Sequence, residues 1–181
     1  MIDDGVHWVF GYGSLIWRPG FAFVRSERAL LRGLHRSLCL YSHIYRGTPD
    51  VPGLVFGLAR GGSCGGMAFA VADALWPETL AYLRERELVT DDYLEVVRPV
   101  RLASGATVQA LTYVINEAHG QYAGALSIDE QVRIVRRGFG ISGSNADYVL
   151  NTALHLRQMG ISDRALEALV DALETPIPDV A

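Results

Sequence analysis

The sequence predicts an α+β fold, a small mixed and partly closed β-barrel with helices around it. Three observations carry that expectation. The first two-thirds of the chain breaks often at Gly and Pro between short, β-rich apolar runs, and most helical patterns come later. Five or six strands in so small a chain curl rather than lie flat. With 181 residues, 50% of them hydrophobic, the chain is expected to form one domain, residues 1–181 with a frayed tail from about 175. A chain of this size buries about 70% of its unfolded surface, so it needs no disulfide or metal to hold it.

The elements follow in order. Val9 to Tyr12, after Trp8, reads as a first strand, and Arg36 to Ser42 alternates loosely around Leu38 and Leu40. Pro52–Ala59 and Gly65–Val71 are apolar runs joined by ARGGSCG, a glycine-rich hairpin signal. Tyr93–Leu102 and Thr107–Ile115 pair across the short turn SGA. A helix is predicted over Pro77–Leu88, with Leu80, Leu83 and Leu88 apolar. Ser127 and Glu130 form a capping-box pattern that opens a helix through about Arg137, with Ile128, Val132 and Val135 on one face. Ser144 precedes a helix ending at Gly160, where a C-terminal glycine belongs. Ser162 and Asp163 start the last helix, with Leu166, Leu169, Val170 and Leu173 inward.

Charge and cysteine usage narrow the function classes. A net charge of −4 and a pI near 5.7 argue against a nucleic-acid partner, which favours a basic face. Cys39 and Cys64 have no CxxC spacing and no neighbouring His cluster, so no metal site is expected. They read as small buried or half-buried thiols in a reducing cytoplasm. MIDDGVHW opens acidic and lacks a signal-peptide pattern. No apolar run reaches the ~18 residues of a membrane span. A soluble, cytoplasmic protein with no membrane partner is expected; the oligomeric state is left open.

Residues 10–17, FGYGSLIW, are the most telling stretch: an apolar strand ends in a loop with a bare backbone. Gly11 and Gly13 give G-x-G, but the third glycine of a dinucleotide loop would fall at Ile16. No lysine follows to make a phosphate loop. Two readings stay open, a purely structural turn and a loop whose N–H groups hold an anion or a developing oxyanion.

WVFGYGSLIWRPGF resembles the opening of the ChaC-type γ-glutamylcyclotransferases. Further matches arrive in the same order: Arg46-Gly-Thr-Pro49 with Pro52-Gly53, then LRERELVTDDY at 83–93, then Gly140 to Asn145 with Asp147 and Tyr148. The resemblance spans roughly residues 7–160. Two departures touch substrate preference rather than reaction type. Asp91-Asp92 precede Tyr93 where the family often has Gly-Gly, and YSHIY at 41–45 replaces a Gln-Gly-Ser-x-Asp-His pattern, with His43 nearby.

The resemblance implies a γ-glutamylcyclotransferase-like fold and a reaction without a cofactor. In it, the α-amino group of a γ-glutamyl substrate such as glutathione attacks its own γ-carbonyl, giving 5-oxoproline and Cys-Gly. Well-oriented internal attack reaches effective molarities of about 10⁵–10⁸ M. Glu87 takes the family's catalytic-glutamate role, with burial raising its pKa from about 4.3. Read without the family, Glu87 is an exposed helix charge paired with Arg84 at i−3. Glu85 lies about 200° around the helix and cannot share Glu87's pocket. Tyr12, Gly13, Ser14 and Leu15 are implied in substrate binding, through loop N–H groups that hold the α-carboxylate or the oxyanion. Tyr12 is equally a packed aromatic. Tyr148 is implied as a carboxylate partner, or is a core tyrosine. Arg46 is implied as a clamp on the glycyl carboxylate, or is a surface arginine before a turn. Two other functions stay open: the same ring closure on another γ-glutamyl peptide or amine, and a non-catalytic binder on the same scaffold.

Overall fold

The structure, a computed structural model, describes residues 5–88 and 90–175. Its elements in chain order are β1 (Val6–Gly11), β2 (Arg25–Ser42), β3 (Gly53–Ala72), α1 (Trp76–Glu87), β4 (Tyr93–Leu102) and β5 (Thr107–Ile115). After them come α2 (Ile128–Arg137), β6 (Phe139–Gly140), β7 (Gly143–Ser144), α3 (Asn145–Gln158) and α4 (Arg164–Glu174). Contacts divide the chain into two compact units, residues 1–37 with 56–122 and residues 38–55 with 123–181.

The first unit is built on the barrel, which is fully closed in the order β1-β3-β2-β4-β5. The expected partial closure becomes complete because β1 pairs with β5 in parallel, Trp8 opposite Ala110 and Val9 opposite Leu111. The buried Thr112 hydroxyl adds a bond to the Phe10 carbonyl at 3.0 Å across the same seam. β1 and β3 are antiparallel, from Val6 opposite Ala72 to Gly11 opposite Met67. The β4–β5 hairpin forms as its sequence predicts, Tyr93 opposite Ile115 through Arg101 opposite Thr107. Trp8, Phe10, Leu31, Leu58, Ala68, Val100 and Ala110 fill one apolar cluster.

One expectation fails. The residues read as two strands and a glycine-rich hairpin are a single 20-residue strand, β3. Gly61 and Gly62 take positive φ of 96° and 66°, so the glycines bend a continuous strand instead of reversing it. β2 runs beside that bend, with His35 Nδ1 3.1 Å from the Gly61 carbonyl oxygen. β2 also begins at Arg25, well before the predicted Arg36, because a long partner strand gives its polar N-terminal half a ladder.

In the second unit α2 packs on α3 and α4, and α3 on α4. The Ser127 capping box is complete: Ser127 Oγ accepts from the Glu130 N–H at 3.3 Å, and Glu130 Oε2 accepts from the Ser127 N–H at 2.8 Å. Val135 is buried, but Ile128 is exposed. Ser144 and Asp163 cap α3 and α4, and Gly160 sits past α3 with φ of 65°. Leu166, Leu169 and Val170 are buried on α4. The expected frayed tail lies, beyond Thr175, outside the described residues. Among the described residues no helix is long and apolar enough to cross a membrane.

Candidate active site

The FGYGSLIW stretch ends β1 at Gly11 and turns through a single 3₁₀ turn, Ser14–Ile16. The Ile16 N–H closes the turn on the Gly13 carbonyl at 2.9 Å, and the Arg18 N–H bonds the Ser14 carbonyl at 2.9 Å. Leu15 anchors the turn in a cluster with Val9, Val71, Leu83, Leu111 and Tyr113. A side chain at Gly13 would meet nothing within 4 Å. Among the described residues, none accepts a bond from the N–H groups of Gly13, Ser14 or Leu15.

A buried arginine fixes how this loop faces. Arg36, 4% exposed on β2, donates from Nε to the Tyr12 carbonyl and from Nη2 to the Gly65 carbonyl, both at 2.7 Å. A trans peptide carries its C=O and N–H in opposite directions, and the described chain has no cis bond. Turning the Tyr12 carbonyl onto Arg36 therefore turns the Gly13 N–H away from it. Nothing in the sequence set Arg36 apart from the other arginines of β2, Arg25, Arg28 and Arg32. The Tyr12 side chain itself packs in the barrel cluster, so the packed-aromatic reading describes its ring.

Glu87 is the last residue of α1. Thr79 and Leu83 are the buried residues of that helix, and Glu87 extends their row by one more step of four. Its side chain is only 17% exposed. Burial is the main reason its carboxyl titrates above the usual range, and the nearby Asp92 carboxylate adds to that rise while Arg86 opposes it. The pairing with Arg84 does not form. Arg84 instead grips Glu95 on β4 with Nη2 and Nε at 2.7 and 3.0 Å, which holds the Glu95 carboxyl below its ordinary range. Glu85 points outward, exposed. Tyr113 of β5, buried in the same cluster as Leu15 and Leu83, donates to Glu95 at 3.1 Å. Burial, and after it the Glu95 and Glu87 charges, push its phenol pKa upward.

Glu87's partner is its neighbour Arg86, with Nε 3.2 Å from Glu87 Oε1. The same guanidinium reaches the glycine loop, donating from Nη2 to Ser14 Oγ at 2.7 Å. Its Nη1 donates to the Arg18 carbonyl at 2.7 Å and to the Tyr82 hydroxyl at 2.9 Å. The structure thus joins Ser14 to Glu87 through one side chain that the sequence reading passed over, although the Arg-Glu pair was in view.

Arg46 and Tyr148 come together in the second unit. The Arg46 guanidinium lies over the Tyr148 ring, 5.1 Å from its centroid, and its Nη1 donates to the Ser142 and Ser144 carbonyls at 2.5 and 3.2 Å. The Gly140–Asn145 segment is held to the chain around it by backbone groups as well. Fully buried Asn145 donates to the Leu54 carbonyl and accepts from the Leu54 N–H, both at 2.7 Å. A Cβ on Gly53 would come within 2.2 Å of the Arg46 carbonyl oxygen, so only glycine lets these strands of chain meet. Cys39 and Cys64 are buried thiols. Among the described residues no cluster of three or more His, Cys, Asp or Glu side chains is arranged to hold a metal ion.

Residues 7–176 match the ChaC-like protein family. The chain belongs to that family. It is 32% identical over 168 residues to the glutathione-specific γ-glutamylcyclotransferase of Escherichia coli, covering 93% of this chain and 73% of that one. The human glutathione-specific γ-glutamylcyclotransferase 1 is 33% identical over 182 residues, covering 97% and 82% of the two chains. Among solved structures, a γ-glutamyl cyclotransferase specific to glutathione from yeast superposes with a TM-score of 0.84 at 22% identity, covering 94% of this chain and 96% of that one. That likeness places this ChaC-like chain in the cyclotransferase fold.

Proposed function

We propose that this protein cleaves the γ-glutamyl bond of glutathione by cyclisation, releasing 5-oxoproline and Cys-Gly. The observation that carries the reading is the sheltered Glu87 carboxyl, titrating above its ordinary range and joined through Arg86 to the Gly13–Leu15 loop. The names of the E. coli and human relatives support the substrate.

The substrate's α-amine is both nucleophile and part of the molecule it attacks, so the protein's task is orientation and proton transfer. Glu87 takes the proton from the amine as the new C–N bond closes the five-membered ring. It then returns that proton to the cysteinyl nitrogen as the old C–N bond breaks. A carboxyl raised above its ordinary range suits both halves. The N–H groups of Gly13, Ser14 and Leu15 donate to the negatively charged glutamyl end, either the α-carboxylate or the oxyanion. In the second unit, Arg46 with Tyr148 beneath it has a fork suited to a carboxylate and already oriented by the Ser142 and Ser144 carbonyls.

Purified protein incubated with glutathione and followed by mass spectrometry for 5-oxoproline tests the reading. Product from γ-glutamyl dipeptides or amines but not from glutathione would transfer the same chemistry to another substrate. Buried Asp92 beside Glu87 favours attention to that outcome, since it alters charge next to the base. A folded protein silent across the panel would make the chain a binder.

A further inference from the structure

We propose that Arg86 is a positioning residue, its single guanidinium fixing the distance between the ligand loop at Ser14 and the carboxyl of Glu87. The proposal deepens the cyclotransferase reading and rests on it for its catalytic meaning.

The argument is geometric. Every nitrogen of the guanidinium is engaged, and each engages a different part of the surroundings. Nε faces Glu87 Oε1 at 3.2 Å, Nη2 faces Ser14 Oγ at 2.7 Å, and Nη1 faces the Arg18 carbonyl and the Tyr82 hydroxyl. Because the guanidinium is planar and rigid, these bonds set the positions of their partners relative to one another. Tyr82 stands one turn before Arg86 on α1, so the arginine is braced from its own helix before it reaches across. Gly20 follows the carbonyls that Arg86 grips; a Cβ there would come within 2.0 Å of the Tyr82 hydroxyl oxygen, so the segment after the loop lies tight against this brace. Ser14 is 72 positions away in sequence, and among the described residues no backbone hydrogen bond links its turn to the end of α1.

A lysine has the charge but one nitrogen, and it cannot span both Ser14 and Glu87. Geometry and charge can therefore be separated. The titratable groups around Glu87 are Arg86 on α1, Asp92 just before β4, and Tyr113 on β5, whose phenol is neutral and raised in pKa. Of these, Arg86 is the one that favours the ionised carboxylate.

The test compares the parent with R86Q and R86K. Three quantities are read: the titration midpoint of the Glu87 carboxyl by carbon NMR of labelled glutamate, hydrogen exchange of the Ile16 and Arg18 amides that close the loop, and kcat with glutathione. R86Q is expected to move the Glu87 midpoint to higher pH and to speed exchange at both amides. R86K is expected to leave the midpoint near the parent's and still speed exchange. Loss of alignment is expected to lower kcat about 10²-fold in both. A parent-like midpoint in folded R86Q, or parent-like exchange in either variant, overturns the proposal. Should R86Q fail to fold, R86K decides it by its exchange and kcat. If the parent itself makes no 5-oxoproline, the cyclotransferase reading falls, while midpoint and exchange still decide whether Arg86 couples loop to carboxyl.

Discussion

Arg86 in the barrel unit and Arg46 in the helical unit both hold a turn of the chain, but against different kinds of partner. Arg86 faces a carboxylate and two hydroxyls as well as a carbonyl. Arg46 faces two carbonyl oxygens and an aromatic ring. The difference separates two tasks. A charge set against a buried carboxyl adjusts how readily that carboxyl gives up its proton. A charge set against neutral dipoles keeps its full attraction for an incoming anion. The first arrangement fits proton transfer and the second fits carboxylate binding.

The sharpest way to break this comparison is E87Q, which removes the proton acceptor but preserves shape. Turnover is expected to fall about 10²–10⁴-fold, read as 5-oxoproline formation, with the fold intact by circular dichroism. Turnover at the parent rate would remove the barrel unit's claim to the chemistry. N145L tests how the helical unit holds its arginine in place. It orphans the Leu54 N–H and carbonyl, and a loss of about 1–3 kcal/mol for each group is expected in urea unfolding. R46M removes the donors to the Ser142 and Ser144 carbonyls, and a loss of about 1.5–3 kcal/mol is expected in urea unfolding, since that is the contribution of a charged hydrogen bond. S127A, which removes the α2 cap far from either arginine in sequence, is expected to cost about 1 kcal/mol and leave both kinetic constants alone.

A last measurement is read by its sign. The Glu87 pKa is higher in the folded protein than the ordinary 4.5. Between those two values the native carboxyl is protonated while the unfolded one is not. Stability contributed by this group is therefore present at low pH and is lost as pH rises through the folded value. E87Q, which cannot ionise, should melt higher than the parent at neutral pH, with the gap closing below about pH 4.5. A gap that widens on acidification would show that the carboxyl is not sheltered as described.

Much of the fold was legible because its signals are local. The Ser127–Glu130 box, the Ser144 cap and the glycine after α3 each depend on residues within one helical turn, and each forms as the sequence implies. The turn after β1 was visible for the same reason. The motif order that marks the family also lies in the sequence, and with it Glu87 as the candidate base. What only the tertiary structure decided is which distant groups meet. The glycines of β3 carried a hairpin signal, yet β2 alongside made them a bend in one strand. Arg84 stood at the right helical spacing for Glu87, yet Glu95, 11 positions further on, took it. Arg36 and Arg86 reach the Tyr12–Ser14 stretch across 24 and 72 positions. A side chain's periodicity says which face it occupies, but its hydrogen-bond partner depends on where the rest of the chain passes, and that is set by closure of the barrel.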